Sequence, residues 1–108
     1  MAGTELRAAL FHGFSDENRL RIVEALSAGE RRVSDLVATT GLAQSTVSTH
    51  LACLWDCGLV ARDRRGREVF YRLIDGVADV LVAADRVLLE AGETVGACPR
   101  YGTGRAAA

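Results

Sequence analysis

Cys53 and Cys57 stand four residues apart in the stretch QSTVSTHLACLWDCGLV, Gln44 to Val60. On a helix that spacing puts both thiols on one face about a turn apart, close enough to chelate one large ion. Thiolates are soft ligands and select soft metals. A third thiol, Cys98, lies in the C-terminal run ACPRYGTGRAAA and is a candidate partner for the pair. Two other readings use the same residues. Cys53 and Cys57 can be small packing residues, since cysteine is among the most buried residue types. The three thiols can also serve as a redox or persulfide switch. Cys98 argues against packing, because an aperiodic tail has no core for a thiol to fill.

The first two turns of the same stretch carry a different chemistry. Gln44, Ser45, Thr46, Ser48, Thr49 and His50 are short or polar side chains able to reach base edges. Val47, Leu51 and Leu54 recur at i, i+4 and i+7 and form the inward stripe, which leaves most of the polar set facing outward. Downstream, Arg62, Arg64, Arg65 and Arg67 crowd one short segment, an arrangement suited to phosphate or minor-groove contact. Between Gln44 and Arg72 five arginines face three acids, a net +2, whereas the remainder of the chain carries −3. Positive charge is therefore concentrated where a nucleic acid would need it, although the whole chain is at −1.

The elements that must position these groups can be read in order. Leu6, Ala9, Leu10 and Phe14 predict a short helix over residues 4–13. Ser15 is expected to cap a second helix whose apolar face is Leu20, Ile22, Val23 and Leu26, ended by Gly29. Ser34 is expected to cap a third, with Leu36 and Val37 inward and Gly41 as its stop. Gly41-Leu42-Ala43 then forms a tight connector into the Gln44 helix, which Gly58 ends; this is a helix-turn-helix pattern. Residues 59–64 and 68–73 predict two strands joined by a turn at Arg65-Gly66, a β-hairpin wing.

The last predicted helix runs from Asp75 to Ala91. Its polar line (Asp75, Asp79, Arg86, Glu90) is narrow, and Val77, Val80, Leu81, Val82, Ala84, Val87, Leu88 and Leu89 cover much of the rest. A helix apolar on more than one face needs a second surface to bury it. A homodimer through this helix, paired with the first, is expected. The fold class is therefore mainly α with a β-hairpin wing, a dimeric winged helix-turn-helix. Residues 1–91 form the DNA-binding and dimerisation domain, and residues 92–108 a flexible tail that carries Cys98.

At 108 residues, 49% hydrophobic and 25% charged, the chain has the composition of one globular domain. It contains no apolar run long enough for a membrane span and no signal-peptide layout. A cytoplasmic location follows, where thiols serve as ligands or reactive groups more readily than as disulfides. An enzyme is disfavoured: neither of the two histidines stands beside a capped nucleophile, and no phosphate-binding loop is present.

The runs FSDENRLRIVEAL, GLAQSTVSTHLACLWDCGLV and RDRRGREVFYRL closely resemble the ArsR/SmtB family of bacterial winged-helix repressors over roughly residues 5–90. The resemblance implies a homodimer that binds double-stranded operator DNA and is released by an inducer. One departure is Ala43, where the family usually has a capping Ser. An arsenic-type site would need a cysteine run on the third helix, but Arg31 to Leu36 holds no sulfur; a zinc or cobalt site would need histidines on the last helix, and it has none. The pattern H-L-x-C-L-x-x-C-G-L-V followed by a tail cysteine instead resembles the family's actinobacterial cadmium/lead sensors. That likeness implies Cys53, Cys57 and Cys98 as ligands, with Cys98 supplied by the partner protomer. Zinc favours a four-ligand tetrahedron, so three sulfurs favour Cd(II) or Pb(II) over Zn(II), with As(III) a lesser alternative and room for an Asp or Glu as fourth ligand.

Overall fold

In the computed structural model, which describes residues 3–104, the chain runs α1 (Gly3–Gly13), α2 (Glu17–Ser27), α3 (Val33–Thr40), α4 (Gln44–Asp56), β1 (Val60–Arg65), β2 (Glu68–Leu73) and α5 (Asp75–Gly96). It divides into two units between Ile74 and Asp75. The winged-helix architecture expected from the sequence is present.

The first unit is built around a small apolar core. Ile22, Val23 and Leu26 of α2, Leu36 of α3, Val47, Leu51 and Leu54 of α4 and Val60 of β1 are all at most 3% exposed. The inward stripe predicted for α4 thus reaches the core at all three of its positions. Truncating Ile22, Leu26, Leu36, Leu51 or Leu54 to Ala leaves a cavity that costs roughly 2–5 kcal/mol, so the attitude of α4 is held firmly by the residues beneath it.

The ends of the helices differ in detail from the sequence reading. Asp16, one residue after Ser15, caps α2: its carboxylate accepts the Arg19 amide at 2.8 Å. Ser15 instead closes α1, donating to the His12 carbonyl at 2.8 Å. α3 begins at Val33, ahead of Ser34, because the Asp35 carboxylate reaches back to the Arg32 amide at 3.0 Å and satisfies the helix start from within. Gly41 closes α3 in the left-handed conformation, φ 73°, as glycine readily does.

β1 and β2 pair antiparallel in the register Val60↔Leu73 to Arg65↔Glu68. Arg65 is therefore the last paired residue of β1, and the turn is Gly66-Arg67 rather than Arg65-Gly66. Gly66 has φ 64°, the left-handed first position that two-residue hairpins demand. On its other edge β2 is pinned by Arg31, whose amide and carbonyl both bond Tyr71, at 2.9 and 2.7 Å.

In the second unit α5 runs to Gly96, five residues beyond the predicted end at Ala91. Gly92 weakens a helix interior by about 1 kcal/mol but does not break it, and the first proline is Pro99. Val77 is the buried residue of α5, while Val82, Val87, Leu88 and Leu89 are 47–87% exposed. Among the described residues no helix is long and apolar enough to cross a membrane.

Candidate nucleic-acid interface and thiol pair

The N-terminal half of α4 presents a polar face because its apolar residues are committed to the core. Gln44, Ser45, Ser48 and Thr49 are exposed and Thr46 is half-buried. Thr49 donates its hydroxyl proton to the Ser45 carbonyl at 2.8 Å, so it offers outward lone pairs rather than a free donor. Ala43 precedes the helix in extended conformation and makes no capping bond. His50 takes a different direction from the rest. Its side chain is 17% exposed, and Nε2 lies 3.7 Å from Asp16 Oδ1, at the start of α2. The Asp16 carboxyl is held below the usual carboxylate range, chiefly by the Arg19 amide and secondarily by His50 and other neighbours.

The wing separates its arginines by the alternation of a strand. Arg62 and Arg64 point to one face, Asp63 and Arg65 to the other. The Arg62 guanidinium lies 4.1 Å from the centre of the Trp55 ring. Trp55, Arg62, Arg64, Val69 and Tyr71 line a groove of about 430 Å³ between α4 and the hairpin. On the opposite face Arg65 grips the Glu30 carboxylate through both terminal nitrogens, at 2.7 and 2.9 Å, bonds Asp63 at 3.0 Å, and lies 4.5 Å over the Phe70 ring. Arg67, in the turn, is exposed, and the exposed Arg64 donates from Nε to the Gly66 carbonyl at 3.2 Å. The four arginines of the segment are thus not equivalent, which their spacing alone did not reveal.

A second pair flanks the first. Arg32 bonds Asp35 at 3.2 Å and Glu68 at 2.6 Å, and its guanidinium sits 5.9 Å from the Phe70 ring centre. Glu30, Arg31, Arg32 and Glu68 were absent from the sequence-derived site. Their complementary charges are visible in the chain, but partners 35 and 36 residues apart carry no periodic signal.

The thiols of Cys53 and Cys57 come together at the end of α4. The Cys57 amide donates to the Cys53 carbonyl at 3.0 Å, the last bond of the helix. Gly58 follows with φ 76°, its amide bonding the Trp55 carbonyl, and the Leu59 amide returns to Leu54, both at 3.0 Å. This Schellman closure places Cys57 at the helix cap. Cys53 is half-buried and Cys57 exposed. Partial desolvation, then the adjoining Cys53 thiol and Asp56, push the Cys57 thiol above its ordinary range, with Arg19 opposing.

Cys98 is half-buried in a turn that follows α5. The Gly102 amide bonds the Cys98 carbonyl at 2.9 Å and the Gly104 amide the Gly96 carbonyl at 3.2 Å. The nearby backbone amides of Arg100 and Tyr101 favour the thiolate and hold the Cys98 pKa below the usual thiol range, against a smaller effect of burial. Gly102 has no room for a side chain: a Cβ there would strike the Gly96 carbonyl oxygen and come within 2.6 Å of the Cys98 nitrogen and oxygen. Among the described residues no three His, Cys, Asp or Glu side chains form a group able to hold a metal ion. The donors at the end of α4 are two interacting thiols, a set that fits a soft cation better than a hard one.

Comparison with known proteins agrees with this geometry. The family described as "Bacterial regulatory protein, arsR family" matches residues 16–62, from the α2 cap to the start of the wing. A probable mercury resistance operon repressor of Streptomyces lividans is 33% identical over 94 residues, covering 86% of this chain and 75% of that protein. The HTH-type transcriptional regulator CmtR of Mycobacterium tuberculosis is 44% identical over 68 residues, covering 63% of this chain and 58% of its own length. The crystal structure of M. tuberculosis Rv0081 superposes with a TM-score of 0.78 at 29% identity, covering 87% of this chain and 96% of that one. These relatives place the chain among DNA-binding regulators, not enzymes. Both the sequence resemblance and the fold lead to one assignment: the chain belongs to the arsR family of bacterial regulatory proteins.

Proposed function

We propose that this protein is a cytoplasmic, homodimeric repressor that binds operator DNA in its metal-free state and is released when Cd(II) or Pb(II) binds Cys53, Cys57 and Cys98. The observation that carries the reading is the location of the thiol pair: Cys53 and Cys57 share the last turn of the helix whose first turns present the polar reading face. A ligand gathered there acts on the element that meets DNA, with no intervening relay. Gln44, Ser45, Thr46, Ser48 and Thr49 face the base edges, and Arg64 and Arg67 supply phosphate contacts from the wing. His50, turned towards Asp16, holds α4 against α2. By resemblance to the cadmium/lead sensors, Cys98 of one protomer completes the site of its partner. Metal and DNA then oppose each other reciprocally, each lowering the other's affinity by the same factor.

The ion is chosen by softness and ligand number, and the mercury resistance repressor among the relatives brings Hg(II) into the same test. Reduced apo protein is titrated with Cd(II) while ultraviolet thiolate-to-metal absorption and release from its upstream DNA are followed together. One ion per protomer, absorption scaled to three thiolates and loss of DNA binding are expected. Cys98→Ser keeps DNA binding and loses the metal response. A Cys98→Ser protein that is still released normally by metal refutes the three-sulfur site. Absence of any charge-transfer band, with DNA binding unchanged, transfers the thiols to a redox or persulfide role or to packing.

A further inference from the structure

We infer that Arg65, although it sits at the tip of the most basic segment, docks the wing rather than contacting DNA, and that Glu30 is its essential partner. The inference refines the DNA-binding reading above and rests on it.

Three holds act on the Arg65 guanidinium at once. Glu30 takes both terminal nitrogens at 2.7 and 2.9 Å, Asp63 takes Nε at 3.0 Å, and the Phe70 ring lies beneath at 4.5 Å. A bidentate, charge-assisted pair occupies the donors that a phosphate would need. On the same side of the hairpin Arg32 reaches Glu68 at 2.6 Å and Phe70 at 5.9 Å. Between the two pairs Arg31 and Tyr71 exchange both backbone bonds. The segment joining α2 to α3 therefore grips the hairpin through two ion pairs, one aromatic ring and one backbone bridge. A free two-stranded hairpin is marginally stable at best in water. The grip orients the wing so that Arg64 and Arg67 face outward.

A charge exchange separates docking from phosphate contact, because it leaves the net charge of the protein unchanged. Binding to a fluorescein-labelled mixed-sequence duplex is measured by anisotropy across a salt series for the wild-type chain, Arg67→Gln, Arg65→Glu and the double variant Glu30→Arg with Arg65→Glu. Arg67→Gln reduces the slope of log affinity against log salt by about 1. Arg65→Glu weakens binding several-fold, and the double variant returns affinity and slope to near the wild-type values. A double variant no tighter than Arg65→Glu shows that the Arg65 guanidinium itself meets phosphate and overturns the inference. Amide exchange of the free protein gives a readout independent of DNA. Arg65→Glu speeds exchange at Arg31 and Tyr71, and the double variant restores it; unchanged exchange in Arg65→Glu also overturns the inference. If the wild-type chain ignores the duplex, the DNA reading fails, and exchange alone decides whether the pair docks the wing.

Discussion

Cys57 and Cys98 occupy opposite electrostatic settings, and their chemistry should differ accordingly. At neutral pH a lowered pKa leaves more of a thiol ionised, and a raised one less. The thiolate is the nucleophile, so Cys98 should alkylate with iodoacetamide faster than Cys57 near pH 7, as mass spectrometry of single-cysteine variants would record. The advantage should shrink as the pH rises past the Cys57 pKa, where both thiols are ionised. Gly102→Ala should abolish it while leaving DNA binding intact, since the added Cβ cannot fit against Gly96 and Cys98 and the turn must open. Equal reactivity of the two thiols in the wild-type chain would refute this account. The pair at 53 and 57 was readable from spacing alone, because i, i+4 neighbours meet on any helix. The donors around Cys98 were not: they are backbone N–H groups of Arg100 and Tyr101, and no side-chain pattern announces them. Pro99 and Gly102 were the available signals of a turn.

The helices follow their apolar periodicity closely, and the departures lie at their ends. Asp16 displaces Ser15 as the α2 cap by accepting the Arg19 amide, and the Asp35 carboxylate starts α3 from inside by reaching back to the Arg32 amide, one residue ahead of the start that a Ser34 cap would set. α4 begins without a capping bond at Ala43, whose φ −62° and ψ 148° already suit a cap. Ala43→Ser should stabilise the protein by about 1 kcal/mol, visible as a rise of several degrees in the thermal midpoint. No rise would mean that the hydroxyl does not reach the exposed amides. The hairpin was predictable from alternation and Gly66, yet the division of labour among its arginines was not. Strand alternation sends Arg62 and Arg64 to one face and Arg65 to the other, but only the folded chain shows that Trp55 and Glu30 wait on those faces.

At the scale of the whole molecule the exposed apolar residues of α1 and α5 bear on assembly. Leu6 and Phe11 of α1 are 50% and 61% exposed, and Leu89 of α5 is 87% exposed. The proposed dimer buries such surface, so the chain should sediment as a dimer at micromolar concentration. Leu88→Glu with Leu89→Glu should sediment as a monomer and lose most of its DNA affinity, since one half-site contact remains. A wild-type chain that sediments as a monomer would refute the dimer.

The amino-acid sequence alone determined the order and type of the elements, the core stripe of α4, its polar reading face and the adjacency of Cys53 and Cys57. All of these depend on local periodicity, which neighbouring residues impose on each other within a few turns. Tertiary structure alone decided which arginines are already paired, that His50 faces Asp16, and that Arg31 bonds Tyr71 to form a rudimentary third strand. Those outcomes join residues tens of positions apart, and nothing in local periodicity selects one distant partner over another.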